Sequence, residues 1–314
     1  MADGARRPRQ TLSPRPKSVQ RALKEHTRYP YSSITGRPKY DWPGGRRLAV
    51  YLALNIEHFD FGAGLGAALG PKSPEPDVLN FSWRDYGNRV GVWRCLELFD
   101  ELKVPAAALI NTSLYDYCPD VVAACVKRGD EIVGHGHTNS DRQGEMSETE
   151  ERKLLESCRD RIVKESGVTP HGWLSPWISE SAVTSDLLVE TGYTYTLNWC
   201  HDDQPVPFQT RSGKPLWSIP YPQELNDIPM IIARQMDACD FSNLIVDNFD
   251  EMLRQSAAQP LVMGIALHPY LVGQPYRLKH LRRALQHIAS HREKVWWTTP
   301  GAICEAAKAA APSN

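Results

Sequence analysis

The sequence predicts an α/β protein folded as a closed or nearly closed (β/α) barrel with about seven strand–helix units. From residue 46 onward, short apolar runs rich in strand formers alternate with segments whose apolar residues recur at helical spacing. Such alternation indicates a parallel sheet with helices outside it. The number of units favours a barrel over an open doubly wound sheet. No GxGxxG or Walker motif follows the first strand, which argues against a nucleotide-binding fold.

The first half of the chain has the most regular alternation. The apolar run RRLAVYLALNIE is the first predicted strand, and the segment 89–103 follows it with apolar residues near one helical face. PAAALIN and EIVGHG are the next two strands, and each precedes a predicted helix. The helix over 120–129 ends at Gly129. The helix over 147–167 begins with a capping box from Ser147 to Glu150.

The second half continues the pattern with longer interruptions. HGWLSP, YTYTLNW, PLWSIPY, LVMGIALHP and KVWWTTP are predicted strands. Predicted helices cover 185–192, 248–257 and 278–291, and a last helix begins at Ala302. Connections are short except around 59–88 and 200–245. We therefore expect a single barrel domain over residues 29–314.

The amino terminus has the only local charge bias. Residues 1–20 contain five basic side chains, one acidic side chain and three prolines. Such a composition is typical of a solvated tail rather than of a packed core. Residues 1–28 are accordingly predicted to form a disordered or extended arm.

Composition excludes several classes of protein. The 314 residues are 41% hydrophobic and 23% charged, which is ordinary for a globular chain. The net charge of -1 gives no global field for nucleic acid or an anionic membrane. No stretch approaches the roughly 18 apolar residues that span a bilayer. The seven cysteines include no C-x-x-C pair, and no secretory signal is present, so a cytoplasmic chain is expected.

Polar residues concentrate where the predicted strands end. In (β/α) barrels the active site lies at the carboxyl ends of the strands, so these residues are candidates for one polar mouth. Five of the ten histidines fall there, although any one of them alone is as readily a structural side chain. The residues at the strand ends are Glu57, His58, Asn111, Thr112, Ser113, His135, His137, Asn139, Asp141, Ser175, Trp177, Trp199, His201, Asp202, Asp203, Tyr221, His268, Thr298 and Thr299.

Several of these segments together resemble a known family. The segments are LNIEHFDFG, RDYGNRVGVWR, EIVGHGHTNSD, GWLSPWISES, WCHDDQPV and ALHPYLVGQPYRLKHLRRAL. In this order and at these strand ends, they resemble the polysaccharide deacetylase superfamily, which has a distorted (β/α) barrel. Within it, the chain resembles the branch of metal-independent allantoinases and cyclic imide hydrolases. The resemblance covers residues 29–308 and implies hydrolysis of a small cyclic amide.

The departures from the deacetylase pattern concern the metal. Where deacetylases carry two aspartates after the first strand, this chain has Glu57 and His58. Where they carry two metal-ligating histidines four residues apart, it has His135 and Asn139, and asparagine is a poor zinc ligand. Leu174 lies near the position of a family arginine. No obligatory cofactor is therefore expected. The alternative is a rebuilt zinc site made from His58, His135 and His137.

The resemblance also implies catalytic roles. Glu57, at the position of the family's catalytic carboxylate, is the expected general base, with a pKa raised by burial. His135 is expected to stabilise the oxyanion or to position water, and His268 to protonate the leaving nitrogen. An imide nitrogen leaves more easily than an amide nitrogen, because its second carbonyl delocalises the charge. This lowers the need for a metal.

The remaining rim residues are candidates for binding the substrate. Tyr86 and Arg89 are expected at the pocket or at a subunit contact, although Arg89 also suits a salt bridge at a helix end. Asp203 is expected to accept a hydrogen bond from a ring N–H of the substrate or, alternatively, to lie in a solvated turn. The long segment 59–88 is expected to select the ring, and its glycines would allow it to move as a lid. The predicted substrate-binding residues are His58, Tyr86, Arg89, His137, Asn139, Trp177, Trp199 and Asp203.

Three functions compete at this point. The first is hydrolysis of a cyclic amide in the cytoplasm by a homo-oligomer, with no nucleic-acid or membrane partner. The second is zinc-dependent deacetylation of an acetylated sugar. The third is binding of a small molecule without catalysis. A shared fold does not separate them, because barrels host many chemistries.

Overall fold

The computed structural model describes residues 26–62, 66–70 and 75–311. These residues form a sheet of nine strands. The strands are β1 (Leu48–Ile56), β2 (Ala107–Ile110), β3 (Glu131–Gly134), β4 (Gly172–Trp173), β5 (Tyr195–Thr196), β6 (Val206–Phe208), β7 (Leu216–Ser218), β8 (Leu261–Leu267) and β9 (Val295–Thr298).

Helices follow most of the strands. They are α1 (Val78–Tyr86), α2 (Val92–Leu102), α3 (Leu114–Tyr117), α4 (Pro119–Arg128), α5 (Glu148–Ser166), α6 (Thr184–Glu190), α7 (Ala238–Gln255), α8 (Pro269–Val272), α9 (Pro275–Ala289) and α10 (Pro300–Ala310). Two π-helical segments, Gly87–Gly91 and Ile228–Ala233, adjoin them. No helix in the described ranges has the length and apolar character needed to cross a membrane.

The sheet curls into an incomplete barrel. The strand order is β6-β7-β5-β4-β3-β2-β1-β8, and β9 also pairs with β1. All pairs are parallel except β6 with β7. A single bridge from Asn226 to Ala266 links the segment after β7 to β8. The predicted distorted (β/α) barrel is thus confirmed, with an antiparallel edge that the alternation did not indicate.

Strand β1 shows how the fold orients the site. All nine of its residues are buried. Leu48, Val50, Leu52, Leu54 and Ile56 pack with the outer helices, whereas Ala49, Tyr51 and Ala53 belong to a second apolar cluster. Because side chains alternate across a strand, Asn55 and then Glu57 continue this second set, on the inner face. The period of the strand therefore directs Glu57 into the barrel.

The predicted strands are confirmed, and the differences lie in the connections. Helix α7 begins ten residues before the predicted 248, at Ala238. Part of the predicted 59–88 lid is the helix α1, and 63–65 and 71–74 of that lid lie outside the described residues. Most of the predicted arm, residues 1–25, also lies outside them. Its described end packs on the domain, since Arg28 pairs with Asp186 at 2.8 Å.

The contact between Gly91 and Pro269 allows a test of this packing. A Cβ on Gly91 would lie 2.1 Å from the carbonyl oxygen of Pro269, the residue after His268. We expect Gly91→Ala to lower the free energy of unfolding by about 1–3 kcal/mol, because a backbone carbonyl cannot move aside easily. Urea denaturation measures this. Gly36→Ala is the control, since nothing lies within 4 Å of its Cβ; equal stability of the two variants would contradict the expectation.

Candidate active site

A cavity of about 150 Å³ lies at the carboxyl ends of the strands. The three residues expected to act in catalysis, Glu57, His135 and His268, line it together with Asn139 and Trp177. Its other lining residues are Asn55, Ala67, Leu174, Ser175, Ile178, Tyr221, Gln223, Asn226, Ile228, Pro229 and Tyr270. A larger cavity of about 630 Å³ lies beside residues 29–37 and 201–207, and it contains none of the three. We therefore place the candidate site in the smaller cavity.

Glu57 is the centre of the site and is held on both carboxylate oxygens. Its Oε1 accepts a hydrogen bond of 3.0 Å from Nδ2 of Asn139, and its Oε2 accepts one of 3.0 Å from the Tyr270 hydroxyl. The Nε2 atoms of His135 and His268 each lie 3.5 Å from Oε1. Only 5% of Glu57 is exposed. The carboxylate is thus immobilised between two histidines.

His268 is oriented by Asp227, a fully buried carboxylate. The two side chains share a hydrogen bond of 2.6 Å between Nδ1 and Oδ1, and Oδ2 accepts the backbone N–H of His268 at 2.7 Å. Because a carboxylate only accepts, Nδ1 of His268 carries a proton. Its Nε2 is therefore the atom directed to Glu57. The arrangement forms a chain from Asp227 through His268 to Glu57.

The charges of Asp227, His268 and Glu57 correct one prediction made from the sequence. Burial alone would raise the pKa of Glu57, as expected from the sequence, but the positive charge of the neighbouring His268 opposes burial, and the pKa is lowered to about 2. Burial opposes a charge on His268, yet Asp227 and Glu57 raise its pKa to about 10. Burial also raises the pKa of Asp227. At neutral pH the site therefore contains an ionised Glu57 and a protonated His268.

A backbone carbonyl orients the ring of His135. Its Nδ1 lies 2.7 Å from the carbonyl oxygen of Leu174, which only accepts, so Nδ1 carries the proton. Its Nε2 is buried without a hydrogen-bond partner. The tautomer with its proton on Nδ1 has the lone pair on Nε2. Of the two predicted roles, the geometry therefore favours positioning water over stabilising an oxyanion.

The lining of the cavity includes strained backbone. Trp177 and Ile178 both line the cavity and have positive φ angles of 63° and 53°. Bulky residues rarely adopt this left-handed region, and such strain is often concentrated at functional sites. The indole N–H of Trp177 donates to the backbone oxygen of Asn139 at 2.8 Å. This bond ties the wall to the segment that holds Glu57.

His58 and His137, both predicted to bind substrate, lie outside the cavity. The Nδ1 atom of His58 lies 3.0 Å from the Ser113 hydroxyl, and its ring stacks on Tyr117. His137 is exposed, and its Nδ1 lies 3.1 Å from the Thr112 hydroxyl. Both rings therefore hydrogen-bond the segment after β2 and not the centre of the barrel.

Four further predicted substrate residues also lie elsewhere. Tyr86 accepts a hydrogen bond from Arg94, and Arg89 is exposed. Trp199 packs on Tyr29 and Phe208 near the antiparallel edge of the sheet. Asp203 lines the larger cavity. None of these four lines the cavity around Glu57.

Two residues important for the geometry were not predicted. Asp227 lies in the irregular segment after β7, where no strand end or periodic pattern marks it. Tyr270 lies two residues after His268 in the segment ALHPYLVG. Tyr270 could have been predicted from the sequence, because it lies two residues after the predicted acid His268 and its hydroxyl can donate a hydrogen bond to the site.

The potential metal-ligating side chains do not fit the zinc ion that the family resemblance implies. Within the described ranges, no three His, Cys, Asp or Glu side chains are grouped so that they could hold a metal ion. The alternative set of His58, His135 and His137 is not brought together. His58 and His137 have hydroxyl partners, and Asn139 donates to Glu57 instead of offering a ligand.

Comparison with known proteins agrees with this architecture. A polysaccharide deacetylase family model matches residues 74–196. The crystal structure of the allantoinase PuuE superposes with a TM-score of 0.79 at 29% identity, over 91% of this chain and 99% of the other.

Two curated proteins are also similar. A candidate polysaccharide deacetylase of Schizosaccharomyces pombe is 29% identical over 86% of this chain and 88% of its own. A peptidoglycan deacetylase of Helicobacter pylori is 24% identical over 77% of this chain and 90% of its own. Together with the curled sheet and the strand-end carboxylate, these matches identify the chain as a member of the polysaccharide deacetylase superfamily.

Proposed function

We propose that the protein hydrolyses the C–N bond of a small cyclic amide, such as an imide or ureide, without an obligatory metal. The observation that carries the proposal is the buried chain Asp227–His268–Glu57, which opens into a cavity of about 150 Å³. Pockets that bury drug-sized ligands measure roughly 300–1,000 Å³, so this one suits a single small ring. The allantoinase similarity supports the same substrate class.

The proposed reaction begins with water held between Glu57 and the lone pair on Nε2 of His135. Glu57 accepts a proton as the water oxygen attacks the ring carbonyl, which forms the new C–O bond. The positive charge of His268 stabilises the oxyanion that results. When the C–N bond breaks, Nε2 of His268 gives its proton to the departing nitrogen. Asp227 keeps the imidazole oriented throughout.

The charge state of the site suits an activated ring. A carboxylate with a pKa of about 2 is a weak base, so it assists attack best on an electrophilic carbonyl. A leaving nitrogen bonded to a second carbonyl is itself stabilised as it departs. Both properties favour an imide or ureide over an ordinary amide.

Deacetylation of an acetylated sugar is the second candidate. The peptidoglycan deacetylase of Helicobacter pylori and the family model support it. The donor set around Glu57 weighs against the zinc-dependent form of that reaction. Assembly into a homo-oligomer stays a prediction.

A panel assay separates the candidates. Purified protein is incubated with glutarimide, succinimide, hydantoin, allantoin and an N-acetylated chito-oligosaccharide, before and after exhaustive chelation, with metal content measured on the same sample. We expect hydrolysis of at least one ring, retained after chelation, and no release of acetate. Release of acetate without ring opening, or ring opening that chelation abolishes and zinc restores, would contradict the proposal.

A further inference from the structure

The amide of Asn139 has a forced orientation. The Glu57 carboxylate only accepts hydrogen bonds, so the group 3.0 Å from its Oε1 must be the NH₂ of Asn139. The carbonyl oxygen Oδ1 of Asn139 therefore faces away from Glu57. This oxygen is buried and has no hydrogen-bond partner. Only 4% of Asn139 is exposed, and the residue lines the cavity.

The backbone of Asn139 is held by two hydrogen bonds. Its N–H donates to the carbonyl oxygen of His58 at 2.8 Å, and its own carbonyl oxygen accepts from the indole of Trp177 at 2.8 Å. Flipping the side-chain amide would place Oδ1 against the Glu57 carboxylate and remove the hydrogen bond from Nδ2. A buried acceptor left without a donor is unfavourable, so a bound ligand that supplies an N–H relieves it.

The other polar atoms of the cavity show which ligand group fits. His268 presents a donor near Glu57, whereas Oδ1 of Asn139 is an acceptor. The unpartnered Nε2 of His135 is the acceptor that the proposed mechanism uses for water. A donor for the substrate carbonyl and an acceptor for a neighbouring N–H together match a ring that contains –CO–NH–.

We propose that Asn139 is a specificity-determining residue whose Oδ1 accepts the N–H of the substrate ring. The site then selects cyclic amides with an unsubstituted nitrogen over their N-alkyl analogues. The inference rests on the proposed function for its substrate class, and it gives Asn139 a second role beyond orienting Glu57.

The test compares glutarimide with N-methylglutarimide, or the corresponding pair for whichever ring the protein hydrolyses. We expect wild type to favour the N–H ring by about 100-fold or more in kcat/KM. Asn139→Leu and Asn139→Ala, the first of similar volume and the second smaller, should each reduce this ratio at least about tenfold. Circular dichroism confirms that each variant is folded.

Tyr270→Phe is the matched control, because it removes the other hydrogen bond to the Glu57 carboxylate. It should lower kcat/KM for both rings and leave their ratio unchanged. If both Asn139 variants also leave the ratio unchanged, Asn139 only orients Glu57 and the inference is wrong. Equal use of the two rings by wild type would also overturn it.

A binding measurement distinguishes failure of the inference about Asn139 from failure of the proposed function. Calorimetric titration with the same two rings needs no turnover. Binding that prefers the N–H ring in wild type and loses the preference in Asn139→Leu supports the inference even if no ring is hydrolysed. Binding without that preference, or no binding of either ring, overturns it.

Discussion

Replacement of Glu57 by glutamine is expected to lower kcat for the ring substrate by about 10²- to 10⁴-fold. The substitution keeps the size of the side chain but removes the base that accepts a proton from water. It also removes a negative charge that favours protonation of His268, so the acid is weakened together with the base. Steady-state kinetics at neutral pH, with the folded fraction measured for each variant, provides the comparison.

Glu131→Gln is the control for this experiment. Glu131 accepts hydrogen bonds from Tyr195 and from the backbone N–H of Gly301, but it begins β3 at the opposite end of the barrel. We expect this variant to keep kcat within a few-fold of wild type, since only a structural carboxylate is changed. If Glu57→Gln retained near-normal turnover, Glu57 would not be the base and the proposed mechanism would fail.

The parts of the fold that follow local periodicity could be predicted. The strand runs and the helix caps at Ser147, Gly129 and Gly167 appear in the structure as expected. From the rule that barrel sites lie at the carboxyl ends of strands, Glu57, His135 and His268 were expected to lie together, and in the structure they line one cavity. The antiparallel strand β6 was missed, because its three residues have no extended apolar run.

The side chains on loops were harder to predict, because no periodicity determines their direction. His135 and His137 are two residues apart, but the chain does not continue as a strand through them. One ring enters the cavity and the other turns to Thr112. The same limit explains why the strand-end rule listed Trp199 and Asp203, which do not line the cavity around Glu57.

The direction of the Glu57 pKa shift depended on a contact between distant parts of the chain. Burial is visible from the apolar strand β1, and it predicts a raised pKa. His268 reverses this effect, and Asp227, 41 residues before it, helps to keep it protonated beside Glu57. Asp227 has no sequence signal, so neither its presence nor the sign of the shift could be derived from one sequence.

Asp227→Asn is expected to move the alkaline limit of activity to lower pH. Activity requires an ionised Glu57 and a protonated His268, so kcat/KM should fall below the pKa of Glu57 and above the pKa of His268. In wild type these lie near 2 and 10, which predicts constant kcat/KM across neutral pH. Burial lowers the pKa of His268, and Asp227 and Glu57 raise it. In the variant only Glu57 still raises it, so the pKa of His268 falls.

The substitution should also lower the maximal rate. Asp227 accepts two N–H groups of His268, whereas asparagine has a single acceptor oxygen, so one of the two donors loses its partner. We expect a loss of about 100-fold in kcat at neutral pH, together with a downward shift of the alkaline limb by at least about one pH unit. A pH profile of kcat/KM from pH 5 to 10.5 measures the shift.

Asp227→Glu separates charge from geometry in the same profile. The longer side chain disturbs the hydrogen bonds but keeps the negative charge, so its rate should fall while its alkaline limb stays near that of wild type. Loss of folding would lower the rate of either variant without moving the limb of the molecules that remain folded. If the limbs of Asp227→Asn and wild type coincided, Asp227 would not control the protonation of His268, and the acid in the proposed mechanism would have to be another group.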